Sequence, residues 1–326
     1  MPELARVLGV EPDQLTREIT RNMNKKFMYI MRHLSPDTAD KVLALNLPGV
    51  NSQREYRRYY PAGEVTGHLV GFTDIDELGL EGIELAYNHW LAGVAGSKRV
   101  LKDRLGRAVE NVASIKPPQH GKDLRTSIDL RLQYLAYRTL KGAVRKHKAE
   151  SGSIVILDVT TGEVLAMVNQ PSYNPNDRSQ LVPDRYRNRA IADIFEPGSS
   201  IKPMIVAAAL ESGRYRASSM VDTAPGFVVV GPKKIEDSKN LGRISLTTVL
   251  SRSSNVGITK IAMSLEPDQL WQSMTRFGFG SVTSSGFPGE SAGLLTHYSD
   301  WRQINQATIG YGYNVSVTPL QLAQAY

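Results

Sequence analysis

The chain has 326 residues, about twice a ~150-residue domain, so two domains are expected. Hydrophobic residues at 41% and charged residues at 22% exclude a disordered or fibrous chain, and the absence of cysteine excludes disulfides, thiolate metal sites and a cysteine nucleophile. The net charge is +7; residues 1–120 hold 16 basic and 15 acidic side chains against 23 and 17 in residues 121–326, so the basic excess belongs to the second part, where it fits a solvated face or an anionic polymer or membrane surface nearby.

The opening, MPELARVLGVEPDQL, lacks a signal-peptide pattern. Pro12 to Asn24 and Pro36 to Leu45 read as helices, and Tyr59 to Asp76 as a strand-like, turn-rich piece. Lys116-Pro117-Pro118-Gln119-His120-Gly121 suits an extended linker, which divides the chain into a mixed domain over 1–120 and a second over 121–326. Asp129 to Val144 is an amphipathic helix with Asp129 as N-cap. Ser153 to Val159 and Glu163 to Val168 form a hairpin through Thr160-Thr161-Gly162. After a loop rich in Pro, Asn and Arg, Pro197-Gly198-Ser199 opens an apolar helix to Leu210. Its run from Met204 to Leu210, seven residues, is the longest apolar run and too short to cross a membrane. Helices follow around Leu246 to Ser251 and Val256 to Ser264. Thr318 caps a last helix with Pro319 at N1 and Gln321 at N3. The order predicts an α+β fold, an antiparallel sheet against a helical cluster. There is no internal repeat and no nucleic-acid module, so no nucleic acid is expected as partner. The six histidines lack metal-ligand spacing, and no metal or other cofactor is expected.

Ser-x-x-Lys occurs once, at Ser199-Ser200-Ile201-Lys202. Residues three apart share a helix face, so the Ser199 hydroxyl and the Lys202 amine can meet. The positive helix N-terminus and burial among apolar neighbours both push the lysine towards its neutral form, which can take the serine proton. The Ser199 N–H could serve as an oxyanion donor. Taken alone, the pattern is equally a capped helix with a snorkelling lysine. Ser-x-Asn occurs at Ser172-Tyr173-Asn174, Ser238-Lys239-Asn240 and Ser253-Ser254-Asn255. The first lies in a loop and the second in a polar surface turn. The third sits between two apolar helical segments, where a turn can aim a hydroxyl and an amide at one point; its plain reading is a helix cap.

Together, EPGSSIKP (196–203) and SRSSNVGITKIA (251–262) resemble the class B penicillin-binding proteins. The likeness extends through RRYYPAGEVTGHLVGFTD (57–74), GLEGIELAYNHWLAG (79–93), LKDRLGR (101–107), SIDLRLQ (127–133), LDVTTGEVLAMVNQPSYNPN (157–176), GFPGE (286–290) and GYGYNVSVTPLQLAQAY (310–326). Within that family it looks most like the cell-division peptidoglycan D,D-transpeptidases of the FtsI type. The resemblance implies a penicillin-binding, β-lactamase-like transpeptidase domain over 121–326, preceded by a pedestal domain over 1–120. It implies Ser199 as the nucleophile towards a D-alanyl-D-alanine stem peptide, Lys202 as general base, Ser253 as proton relay to the leaving D-alanine, and Asn255 as a ligand of the bound peptide and of Lys202. β-Lactams would acylate the same Ser199. Partners would be peptidoglycan stem peptides and divisome membrane proteins such as FtsW. The location would be the bacterial inner membrane, held by a single-pass anchor, with the catalytic domain in the periplasm. The family's Lys-Thr/Ser-Gly motif is not in this sequence. A fragment lacking the anchor and the C-terminal strands is therefore expected, and a serine β-lactamase or carboxypeptidase, or an inert penicillin-sensing module, are the competing readings.

Overall fold

The structure, a computed structural model, describes residues 1–102, 108–177, 179 and 182–326. Residues 103–107 of the LKDRLGR segment lie outside the described residues. The chain divides into two units: Met1–Tyr59, Thr73–Leu78 and His89–Leu124 form the first, and Tyr60–Phe72, Gly79–Asn88 and Arg125–Tyr326 the second. Two pieces of the early sequence therefore fold with the later one.

In the first unit three helices, α1 (Pro2–Leu8), α2 (Pro12–Arg21) and α3 (Pro36–Ala44), begin with proline in the first turn, where its missing N–H costs nothing. Ser35 caps α3 by accepting the Thr38 N–H. They close over Leu4, Ala5, Leu15 and Val42. Strands β1 (Ser97–Lys102) and β2 (Ala108–Lys116) pair antiparallel.

The second unit corrects one expectation. Residues 60–72 are not strand-like but hold a 3₁₀ turn at Gly63–Val65 and a helical turn at Gly67–Val70. The physical reason is that Val65, Leu69 and Val70 go into three different apolar clusters, which helical turns permit and strand alternation does not. The expected helix appears as α4 (Leu130–His147), with Asp129 accepting the Arg131 N–H at 2.8 Å. It packs on the expected hairpin, β3 (Gly152–Leu157) and β4 (Val164–Gln170), through Ala136, Tyr137, Leu140 and Val168.

The rest of the unit is a helical cluster with short ladders at its side. A 3₁₀ turn at Gly198–Ile201 runs into α5 (Lys202–Glu211); α6 (Leu246–Ser251), α7 (Asn255–Ser264), α8 (Pro267–Arg276) and α9 (Gln303–Ile309) follow. Between α5 and α6, β5 (Met220–Asp222) pairs with β8 (Arg243–Ser245), and β6 (Phe227–Val230) with β7 (Lys233–Glu236). The described strands pair two by two, all antiparallel. Ile201, Ile205, Val249, Ile258, Ile261 and Ala307 form the centre of the core. Each buried isoleucine or valine contributes roughly 1.5–3 kcal/mol. That sum is what holds α5 and α7 together although a lysine lies buried between them. The last helix, α10 (Pro319–Ala325), has its capping box: Gln321 N–H to Thr318 Oγ1 at 3.1 Å and Thr318 N–H to Gln321 Oε1 at 2.8 Å. Among the described residues no helix is long and apolar enough to cross a membrane.

Candidate active site

Lys202 is the first residue of α5, and only 2% of it is exposed. Its amine donates to the Ser253 carbonyl at 2.6 Å, to Ser253 Oγ at 3.0 Å and to Asn255 Oδ1 at 2.8 Å. Burial pushes the amine down from 10.5 to about 8, and the charge of Asp237 pulls against that shift. Near neutral pH the free base is therefore a minority form of this lysine, though a larger one than an ordinary lysine offers.

The turn between α6 and α7 explains how Ser253 and Asn255 reach that amine. Ser254 N–H bonds to the Val249 carbonyl and Ser253 N–H to the Leu250 carbonyl, both at 2.9 Å. This is a Schellman motif, whose left-handed position is normally glycine. Here it is Ser253, at φ +51°. A left-handed serine costs roughly 1–2 kcal/mol, and it places a hydroxyl where glycine would have none. Ser254 then caps α7, its hydroxyl accepting the Gly257 N–H at 2.8 Å. Ser254 faces inward while Ser253 and Asn255, on either side of it, face Lys202.

Ser199 lies in the 3₁₀ turn before α5, not on the α-helix itself. It is exposed, and neither its hydroxyl nor its N–H makes a hydrogen bond among the described residues. The turn is held from behind: Gly198 N–H donates to the Gly312 carbonyl at 3.1 Å, and Ser200 Oγ to the Pro197 carbonyl at 2.6 Å. The structure thus joins Lys202, Ser253 and Asn255 through hydrogen bonds and puts Ser199 one turn away with its hydroxyl and N–H free. The other two Ser-x-Asn copies go elsewhere. Ser172 donates to the Glu64 carbonyl and Tyr173 is fully buried, whereas Ser238 and Asn240 lie in an exposed turn.

Sequence reasoning missed two residues. Asp237 follows β7, and its carboxylate accepts from Ser254 Oγ at 2.6 Å, Asn255 N–H at 2.6 Å and Val256 N–H at 3.1 Å. A lone aspartate before a polar turn carries no local signal for that long-range role. Gly312 braces the Ser199 turn from 114 positions along the chain, and its only trace in sequence is a glycine between two tyrosines.

An exposed serine thus stands one turn before a buried lysine that carries a second hydroxyl and a carboxamide, side chains of the kinds that nucleophilic catalysis uses. Residues 152–326 match the family model described as penicillin binding protein transpeptidase domain, and residues 1–126 match the penicillin-binding protein dimerisation domain. The chain belongs to the penicillin-binding protein transpeptidase family. It is 46% identical over 99% of its length to the peptidoglycan D,D-transpeptidase FtsI of Escherichia coli K12, covering 54% of that protein. It is 39% identical over its full length to the probable peptidoglycan D,D-transpeptidase PenA of Neisseria gonorrhoeae, covering 56%. The chain spans about half the length of the curated relatives it matches. A solved apo structure of the TP domain of Burkholderia pseudomallei penicillin-binding protein 3 aligns with a TM-score of 0.56 at 41% identity, covering 62% of this chain and 56% of that one.

Proposed function

We propose that this chain carries the acylation machinery of a peptidoglycan D,D-transpeptidase. The observation that carries this reading is the triple hydrogen bond of the buried Lys202 amine to Ser253 and Asn255, one turn from Ser199, whose hydroxyl makes no hydrogen bond among the described residues. Ser199 Oγ attacks the carbonyl of the penultimate D-alanine while neutral Lys202 takes its proton. The Ser199 N–H stabilises the developing oxyanion. The C–N bond breaks, and the terminal D-alanine leaves with a proton passed through Ser253. The amine of a second stem peptide then attacks the Ser199 ester, forms the cross-link and returns the proton to Ser199. Asn255 holds the bound peptide and the Lys202 amine. A β-lactam enters the same path but has no separate leaving group to depart, so the acyl-enzyme persists.

The relatives named FtsI support a role in septal wall synthesis, with residues 1–120 as pedestal and 121–326 as transpeptidase domain. The same similarity supports an inner-membrane protein whose catalytic domain faces the periplasm and whose partners are divisome membrane proteins such as FtsW.

The experiment is covalent labelling with a fluorescent penicillin, followed by peptide mass mapping. Stoichiometric labelling of Ser199, abolished in Ser199→Ala, is expected. Unchanged labelling of Ser199→Ala overturns the assignment, and rapid turnover of a chromogenic cephalosporin favours a β-lactamase instead.

A further inference from the structure

The first three N–H groups of α7 are all satisfied, one by its N-cap and two by a residue remote from it in sequence. Ser254 Oγ takes the Gly257 N–H, while Asp237 Oδ1 takes those of Asn255 and Val256. Asp237 Oδ2 accepts the hydroxyl proton of Ser254, which is 1% exposed. One carboxylate, fixed just past the end of β7, thus grips the N-terminal turn of α7 at three points. Its own N–H is anchored on the Gly226 carbonyl at 3.0 Å. Ser253 and Asn255 flank the gripped residue, so a rotation of that turn moves both of them relative to Lys202.

From this juxtaposition we infer that Asp237 is the positioning residue of the site: its carboxylate sets the Ser253–Asn255 turn in the register that meets the Lys202 amine. The inference goes beyond the role of the Ser-x-Asn element and rests on the reading of Ser199 and Lys202 given above. Asp237 touches no reacting atom; it acts through Ser254 and the backbone. It has a second effect that a purely mechanical brace would lack. Burial lowers the Lys202 amine, and the Asp237 carboxylate acts against that shift by favouring the protonated form. Lys260 of α7 and Arg276 of α8, on the helices packed against α5, are engaged with the Asp222 carbonyl and Glu211.

The test compares wild type, Asp237→Asn, Asp237→Glu and Ser199→Ala. Two quantities are read from pH 6 to 10: the second-order rate of acylation by a fluorescent penicillin, and the titration of Lys202 by NMR of ¹⁵N-lysine-labelled protein. Asp237→Asn should acylate about 100-fold more slowly, the cost of a misplaced catalytic group, and its Lys202 midpoint should fall. Asp237→Glu keeps the charge on a longer arm, so the midpoint should stay near wild type while acylation remains slow. If Asp237→Asn does not fold, Ser254→Ala removes one of the three grips and should slow acylation about tenfold. Acylation of Asp237→Asn, or of Ser254→Ala in its place, within twofold of wild type overturns the inference, as does an unmoved Lys202 midpoint in Asp237→Asn. Wild type that takes no penicillin at Ser199 sinks the enzymatic reading instead, and the Lys202 midpoint still decides whether Asp237 governs the amine.

Discussion

Gly312 and Gly198 meet backbone to backbone: a Cβ built on Gly312 would fall 2.0 Å from the Gly198 carbonyl oxygen. Gly312 also sits at φ +88°, where a side chain is strained whatever the space. The contact continues a paired stretch in which Phe195 and Val317 exchange both backbone hydrogen bonds, at 3.0 and 2.9 Å. Together they form the wall behind the turn that carries Ser199. Gly312→Ala should therefore push Gly198 forward and move its neighbour Ser199. We expect acylation to fall about 100-fold and stability to fall by ~2 kcal/mol or more. Gly213→Ala is the control. Gly213 has a similar φ of +74° with nothing within 4 Å of the added carbon, so it should lose stability alone. Equal acylation rates in the two variants would remove the wall from the argument.

The pH dependence of acylation should follow Lys202. With the amine at about 8, the neutral base is in the minority at pH 7 and dominates above pH 9. The rate of penicillin acylation should rise through a midpoint near 8. Lys202→Arg, which cannot lose its proton in this range, should abolish the reaction at every pH. A rate flat from pH 6 to 9 would rule out Lys202 as the base.

The same shift makes a statement about stability, and its sign is opposite to that of a salt bridge. The folded pKa lies below the unfolded one, so the unfolded chain binds the extra proton between pH about 8 and 10.5. Below pH 8 the full cost of burying the charge is present; across the window it is relieved as pH rises. Lys202→Met removes this dependence, with a pH-independent loss of the hydrogen bonds to Ser253 and Asn255. The stability of Lys202→Met relative to wild type should therefore be higher at pH 7 than at pH 10, as measured by urea unfolding at both. The reverse order would mean that the amine is held charged in the fold.

Much of this site was legible in the sequence because it is written in local spacing. Ser199 and Lys202 are one turn apart, and Ser253 and Asn255 flank a helix cap. The helices over 130–147, 246–251 and 255–264 and the β3–β4 hairpin follow from periodicity, caps and a Thr-Thr-Gly turn. What could not be read are the relations across the chain. Asp237 reaches α7 over 17 to 19 positions without any motif. Tyr60–Phe72 precedes the linker by more than forty residues, yet Tyr60 bonds Asn176 and His68 bonds the Arg185 carbonyl. Its apolar residues looked strand-like because their three separate burial partners are distant in sequence.

Ser253 allows backbone strain to be separated from chemistry. Glycine at this left-handed position removes the ~1–2 kcal/mol penalty of a side chain, offset in part by the greater freedom of glycine in the unfolded chain. Alanine keeps the penalty. Both remove the hydroxyl that receives the Lys202 amine. Ser253→Gly should be more stable than Ser253→Ala by about 1 kcal/mol, while both acylate far more slowly than wild type. A fast Ser253→Gly enzyme would show that the hydroxyl is dispensable and that the turn alone matters.

Gln133 makes the corresponding case for the fold. Its side chain is buried, donates to the Val65 carbonyl at 2.8 Å and the Met167 carbonyl at 2.9 Å, and accepts the Met167 N–H at 2.9 Å. One amide therefore ties α4, β4 and the early 60–72 segment together inside the second unit. Replacing it with methionine keeps the volume but strands a carbonyl of Val65 and both polar groups of the Met167 peptide positions. Each buried group left without a partner costs roughly 1–3 kcal/mol, so Gln133→Met should lose about 3 kcal/mol or more in a denaturant titration. None of these bonds touches Ser199, Lys202, Ser253 or Asn255. Acylation per folded molecule should stay within a fewfold of wild type at low temperature and fail early on heating. An unchanged midpoint of unfolding would mean that the 60–72 segment is held by its aromatic contacts, such as Phe72 against Tyr173, and not by this amide.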